Sequence, residues 1–354
     1  MADISTIKSV RVDALVALRI VKHATGVYPT TVYGALLGME VNGVLQITNT
    51  FPFPTSSEGD DSSSSALTPK NKGVMWYQNE MIKCLREVNI DANNVGWYQS
   101  TTLGNFINAN FVENQMHYQS QMNERTVVLV YDSMRSAQGG LAIRAYRLTS
   151  QFITAYRENK FTLDALAKHN LAYKDILHEL PLTLYNSHLA TSLLHQLSTP
   201  PQPPSILPLS AAGLLNPPTS PNPIFPVNTN FNALDLTVDP ILEKSCDLLL
   251  ESIDAHNTEA NNFAYYQRAL AREQAKIATW QQKRKTENSV RVAQKLAPLP
   301  EDEWTKLFKL PQEPSRLDGL LVSRQIKQYA RQVDGFTATS SAKLFALNGG
   351  TPRF

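Results

Sequence analysis

Ten of the 21 prolines in this 354-residue chain fall between Pro200 and Pro226. Proline fixes φ and has no backbone N–H to donate, so neither helix nor sheet can run through such a segment. It reads as a linker, partly polyproline II in character. The chain is thereby divided, with mixed strand and helix patterns before residue 198 and long helical periodicities after residue 234. The expected organisation is a domain over 8–197, a proline-rich linker over 198–233, C-terminal helices over 234–336 and a tail over 337–354.

Within the first part, Ser9–Val12 reads as a strand, followed by a helix capped by Asp13 with Leu15, Leu18 and Val21 expected on its buried face. The apolar run 31–41 is interrupted by Gly34 and Gly38, which suits a buried strand that another element approaches closely. Asn42-Gly43 turns it into a second strand where Leu45 and Ile47 alternate with Gln46 and Thr48. The Ser- and Asp-rich stretch 55–72 has little to bury and reads as a loop. Beyond it the pattern gives a helix over 76–88 and a strand ending near Tyr98. A helix over 104–115 and strands over 127–131 and 141–148 follow. The domain closes with a helix over 163–169, a strand-like 180–185 and a helix over 187–197. This alternation predicts an α/β (α+β) domain with a central mixed sheet.

After the linker, Leu242, Cys246, Leu249, Ile253, His256, Ala260 and Phe263 recur in steps of four and three, a coiled-coil-like seam that Pro298 and Pro300 must end. A last helix near 317–333 carries Val322, Ile326, Tyr329, Val333 and Phe336 at similar spacing. Neither stripe can be buried by its own helix, so each is expected to pack against the other or against partner chains. The residues expected at such helix contacts are Leu242, Cys246, Leu249, Ile253, Phe263, Val322, Ile326, Tyr329 and Val333.

Several function classes lose support at this level. No apolar run approaches the roughly 20 residues that cross a bilayer, and the first residues lack a signal-peptide layout. Two cysteines make no disulfide framework and suit the reducing cytosol, where the chain is expected. Phosphate-cradling and nucleophile-elbow motifs are absent, as are His-x-His and His-Glu-x-x-His. His188 and His195 lie two helical turns apart, too far for one ion. Residues 268–295 carry eight Lys or Arg against two Glu. Lys283, Arg284 and Lys285 are candidates for RNA contact, although a charge run is more often a solvated helix face. Trp97 and Tyr98 could line a peptide pocket, but apolar strand residues of this kind usually belong to the core.

The glycine-interrupted strand, Phe51-Pro-Phe-Pro54, Val95-Gly-Trp-Tyr98 and Arg144-Ala-Tyr-Arg-Leu-Thr149 together resemble an MPN domain, the JAMM metalloisopeptidase fold, over roughly residues 8–195. In catalytic members a Glu acts as general base and two His flanking a Ser bind zinc. A downstream Ser steadies the oxyanion, and an Asp completes the ligand set. Carried over to this sequence, those positions are Thr31 for the Glu, Gln99 and Thr101 for the His pair, Ala109 for the Ser and Val112 for the Asp. All five are changed, so the resemblance implies an inactive domain with no metal and no other cofactor.

Val95-Gly-Trp-Tyr-Gln-Ser-Thr101, Ala137-Gln-Gly-Gly-Leu-Ala-Ile-Arg-Ala-Tyr-Arg-Leu-Thr149, Asn186-Ser-His-Leu189, Pro311-Gln-Glu-Pro-Ser-Arg-Leu-Asp-Gly-Leu-Leu321 and Gln325-Ile326 extend the likeness along nearly the whole chain. Together they are similar to the H-subunit family of eukaryotic translation initiation factor 3. What this implies is a non-catalytic scaffold whose partners are other subunits of that factor, including a second MPN-domain subunit and helical-bundle subunits, and the small ribosomal subunit. Any RNA contact would be weak or indirect, and no membrane would be involved. The alternatives are an inactive MPN subunit of the proteasome lid or signalosome, or a zinc-dependent deubiquitinating isopeptidase.

Overall fold

An eight-stranded mixed sheet, ordered β7-β6-β5-β4-β2-β3-β1-β8, carries the first half of the chain. The computed structural model describes residues 7–54, 72–90, 93–137, 141–158, 161–198, 240–294, 297, 299–300 and 303–347. The strands are β1 Ser9–Asp13, β2 Tyr33–Val41, β3 Val44–Pro52, β4 Asn94–Thr101, β5 Val127–Asp132, β6 Ile143–Leu148, β7 Leu177–Leu180 and β8 Leu182–Tyr185. β7 and β8 occupy opposite ends of this order although only Pro181 separates them. The sheet therefore curls until its two edges meet at that residue, which offers no N–H to either ladder.

Local chemistry explains the most constrained turns. Asn42 and Gly43 both adopt positive φ (54° and 78°), the pair of left-handed residues that a tight hairpin between right-twisted strands requires. At Gly38 the β2–β3 register shifts, and an added Cβ would lie 1.9 Å from the Gln46 carbonyl oxygen. Close approach of a neighbouring backbone is thus the reason for the glycine.

Alternation along the strands loads both faces. On one face α1, Ala14–Gly26, covers Val10, Val12, Leu36, Leu45, Ile47, Tyr98 and Leu129. On the other, Trp97, Phe106, Phe111, Val112, Val128, Val130, Tyr146 and Phe152 form a second core. α3, Ala109–His117, and α5, Ser150–Glu158, supply Phe111, Val112 and Phe152 to it. α2, Lys72–Glu87, builds a smaller cluster on Ala35, Leu37, Phe51 and Phe53. Two short helices, α4 Ser133–Ala137 and α6 Leu163–Lys168, complete the domain together with α7 His188–Ser198.

Several expectations need correction. Leu15 and Leu18 are 52% and 67% exposed, whereas Val16, Ala17, Ile20 and Ala24 are buried. Two apolar stripes run along this short helix, offset by one residue, and periodicity alone does not choose between them. The helix expected from Gly104 starts at Ala109, because Leu103 and Gly104 take positive φ and form a turn. α5 is an element that the sequence pattern does not announce. The stretch 55–71 and the proline segment 199–239 lie outside the described residues.

The C-terminal part consists of α8 Pro240–Ala293, the short α9 Trp304–Leu307 and α10 Leu317–Leu347. α10 continues into the expected tail, since residues 337–347 contain neither Pro nor Gly to stop it. α8 and α10 pack against each other. α10 also packs on the first domain, where Leu321 joins the core of Trp97 and Phe106; just before the helix, the N–H of Arg316 donates to Phe161 O at 3.1 Å. Among the described residues no helix is long and apolar enough to cross a membrane.

Candidate functional site

β4 lies between β2 and β5 in the sheet, and from Val95 to Thr101 it is buried throughout. Trp97 joins the core on one face and Tyr98 the core on the other. Period-two alternation then puts Gln99 and Thr101 on the Trp97 side and Ser100 on the Tyr98 side. Ser100 ties the strand to the approach of β2: its N–H donates to Val32 O at 2.9 Å, and its Oγ accepts the Val32 N–H at 2.8 Å. Thr101 Oγ1 donates to Asn105 O at 2.9 Å and shapes the turn that follows. Val112, on α3, is fully buried in the core on the Trp97 side. Ala109 opens α3 at the surface behind its cap, Asn108, whose Oδ1 accepts the Phe111 N–H at 2.8 Å. Thr31 is half-buried just before β2.

The fold therefore brings Gln99, Thr101 and Val112 to one face and leaves Ala109 at the rim. An amide, a hydroxyl and an isopropyl group do not make a zinc site, because that ion selects imidazole, thiolate or carboxylate. These residues do not fit the metal that the MPN resemblance would suggest. Among the described residues no group of three His, Cys, Asp or Glu is placed to hold an ion.

Asp132, which carries no motif in the sequence, supplies a carboxylate beside Thr101 across the parallel β4–β5 pair. Its Oδ1 accepts the N–H groups of Leu103 and Arg135 at 3.2 Å each, while Oδ2 is buried without a hydrogen-bond partner among the described residues. Burial raises its pKa above the usual carboxylate value, opposed by those backbone donors and the Arg135 charge. A cavity of about 20 Å³ beside it is lined by Thr101, Phe106, Arg135, Arg144, Tyr146 and Gln328, among others. That volume holds one water at most, and two guanidinium groups in the lining oppose a cation. The only sequence signal is an acid closing the apolar run Val127–Tyr131.

Trp97 and Tyr98 are both core residues. The Trp97 indole N–H donates to Gln115 Oε1 at 2.8 Å, and Gln115 Nε2 passes the chain to Gln119 Oε1 at 3.0 Å and to Thr126 O at 3.2 Å. Gln119 closes the relay on the backbone of Leu148. On the opposite face Tyr98 Oη lies 2.8 Å from His23 Nδ1. Burial lowers the His23 pKa and raises that of Tyr98, so both are neutral near pH 7.

α10 packs on the turn that follows β4. Gln325 Oε1 accepts the Ile107 N–H at 3.2 Å, and its Nε2 donates to Gly104 O at 2.8 Å. Of the residues expected at helix contacts, Tyr329 is buried. Leu242, Cys246, Leu249, Phe263, Val322, Ile326 and Val333 are half-buried, and Ile253 is 37% exposed. The basic stretch divides. Lys283 and Lys285 are exposed, whereas Arg284 stacks over Trp280, 4.8 Å from the ring centroid, and pairs with Glu303 and Glu287.

Residues 5–124 match the family described as JAB1/Mov34/MPN/PAD-1 ubiquitin protease, and residues 136–216 and 223–349 match that described as the C-terminal region of eIF3h. Curated relatives named as the H subunit of eukaryotic translation initiation factor 3 align almost end to end. The Phaeosphaeria nodorum protein is 57% identical, over 96% of this chain and 95% of its own length. That of Emericella nidulans is 54% identical over 98% and 96%, and that of Neurospora crassa 54% over 97% and 96%.

Proposed function

The chain belongs to the H-subunit family of eukaryotic translation initiation factor 3, and from that membership we propose that it works in the cytoplasm as a non-catalytic scaffold of the factor. In this reading it supports assembly of the pre-initiation complex on the small ribosomal subunit and recruitment of messenger RNA. The MPN domain docks a second MPN-domain subunit, and the C-terminal helices contribute to a bundle shared with other subunits. Lys283 and Lys285 offer a weak phosphate contact at the edge of that assembly.

One observation carries the absence of chemistry. Thr31, Gln99, Thr101, Ala109 and Val112 provide neither imidazole nor carboxylate, and Asp132 is enclosed with two arginines. None of the five positions can hold a zinc that would acidify a water, and the position of the general base has no carboxylate to take its proton. Elemental analysis of the purified chain, together with an isopeptide-bond cleavage assay on ubiquitin chains, tests this directly. We expect no stoichiometric zinc and no cleavage; zinc at one equivalent with cleavage would restore the isopeptidase alternative. A chain ending at residue 234 should be lost from the factor in pull-downs, and normal incorporation would remove the bundle role.

A further inference from the structure

α10 meets the first domain with two chemically different halves. Its first turns are anchored by apolar contact: Leu321 is buried in the core of the domain, with Leu317 and Leu320 packed against it. Past that anchor α10 buries Arg324, Gln325, Gln328, Tyr329 and Gln332. The three glutamines meet the turn formed by residues 103–107. The Gln325 carboxamide satisfies one backbone donor and one backbone acceptor there, as a peptide unit would. Gln328 lines the small cavity beside Asp132. Gln332 lies so close to Gly104 that a Cβ there would be 2.1 Å from Nε2, yet both its amide atoms are buried without a hydrogen-bond partner among the described residues.

A helix meant as a fixed wall would present aliphatic side chains to such a turn, because apolar burial is what makes docking permanent. Glutamines are comfortable in water, and an amide buried without partners gains them when the contact opens. Gly104, with φ of +71°, holds the facing turn in a shape that accepts the helix.

We propose that α10 is a latch: pivoting on Leu317–Leu321, its glutamine face docks on the 103–107 turn through Gln325 and lifts from that turn without unfolding the sheet. The lifted helix offers its glutamine face to other helices, a consequence that rests on the scaffold role, whereas the docking equilibrium does not.

Amide hydrogen exchange of the full-length chain, read by mass spectrometry, tests the latch. The Ile107 N–H, which donates to Gln325, should exchange with its turn at least ten-fold faster than β4 and β5, while residues 323–332 keep their intrahelical hydrogen bonds and stay protected. Gln325→Ala should accelerate the 103–107 segment a further ten-fold and leave β4 and β5 protected. Gln332→Leu, which replaces the unpaired amide by an apolar group, should slow that segment several-fold. These opposite responses from neighbouring glutamines separate a latch from a static contact. Exchange of 103–107 only at the rate of β4 and β5, or acceleration by Gln332→Leu, would overturn it, as would loss of β4 and β5 protection in Gln325→Ala.

Discussion

Gly96 and Val127 approach so closely across the β4–β5 pair that a methyl group on Gly96 would lie 1.8 Å from the Val127 carbonyl oxygen. Gly96 also has φ of +153°, a conformation closed to residues with a Cβ. Gly96→Ala must therefore both strain the backbone and push two paired strands apart beside Trp97. The expected loss is about 3 kcal/mol, from the backbone and overpacking costs combined. Urea denaturation should show it as a lowered midpoint with an unchanged slope.

The relay from Trp97 through Gln115 and Gln119 to Leu148 makes a second prediction. Trp97→Phe leaves a cavity and strands Gln115 Oε1, so it should destabilise by about 3 kcal/mol. Adding Gln115→Leu removes the stranded acceptor while Gln119 keeps its bonds to Leu148. The double variant should thus cost less than the sum of the single ones, a coupling that a double-mutant cycle of unfolding free energies would read.

Much of the fold is legible in the residues themselves, and the reason differs from one to the next. Gly34 and Gly38 mark a close approach because a glycine weakens an apolar strand unless a neighbour occupies the space of the missing Cβ, and at Gly38 the Gln46 carbonyl is that neighbour. Asn42-Gly43 locates the hairpin because few pairs accept its backbone. Local rules fail where tertiary contacts choose between equivalents. The buried stripe of α1 lies one residue away from the one that periodicity suggests. Asp132 carries no motif: its importance comes from pairing beside Thr101, a relationship between residues far apart in sequence. Gln325, Gln328 and Gln332 read as ordinary polar helix positions, since only the fold brings the turn after β4 beneath them.

Asp132 should make stability depend on pH in an unusual direction. An unfolded Asp titrates near 3.9, and burial raises the folded value above that. As pH rises between the two values the unfolded chain releases its proton first, so stability falls across that window and levels off above the folded pKa. Asn at this position keeps an Oδ1 acceptor for Leu103 and Arg135 but carries no buried charge. Asp132→Asn should be more stable than the parent at pH 7, with the gain shrinking toward pH 4. Thermal melts across that range would check it, and a gain that grew on acidification would contradict the assignment.

Arg284 and its neighbours separate structure from charge within one stretch of three basic residues. The Arg284 guanidinium stacks on Trp280 and pairs with Glu303, while Asn288 brackets Leu299: its Oδ1 accepts the Leu299 N–H at 2.9 Å and its Nδ2 donates to Leu299 O at 3.0 Å. Trp280 in turn packs edge-on against Phe308, with ring centroids 6.4 Å apart. Arg284 is thus a clamp that holds the segment leading into α9 back against α8, and its side chain is only 16% exposed. Arg284→Ala should release residues 303–308, seen as faster amide exchange there, at a cost of about 1–2 kcal/mol. Lys283 and Lys285 are exposed and should behave oppositely. Lys283→Gln with Lys285→Gln should leave melting unchanged. If these two lysines meet phosphates, it should also lower the slope of log affinity against log salt for single-stranded RNA by roughly 1.4. An unchanged slope in the double variant would remove the RNA contact, and an unchanged exchange pattern in Arg284→Ala would remove the clamp.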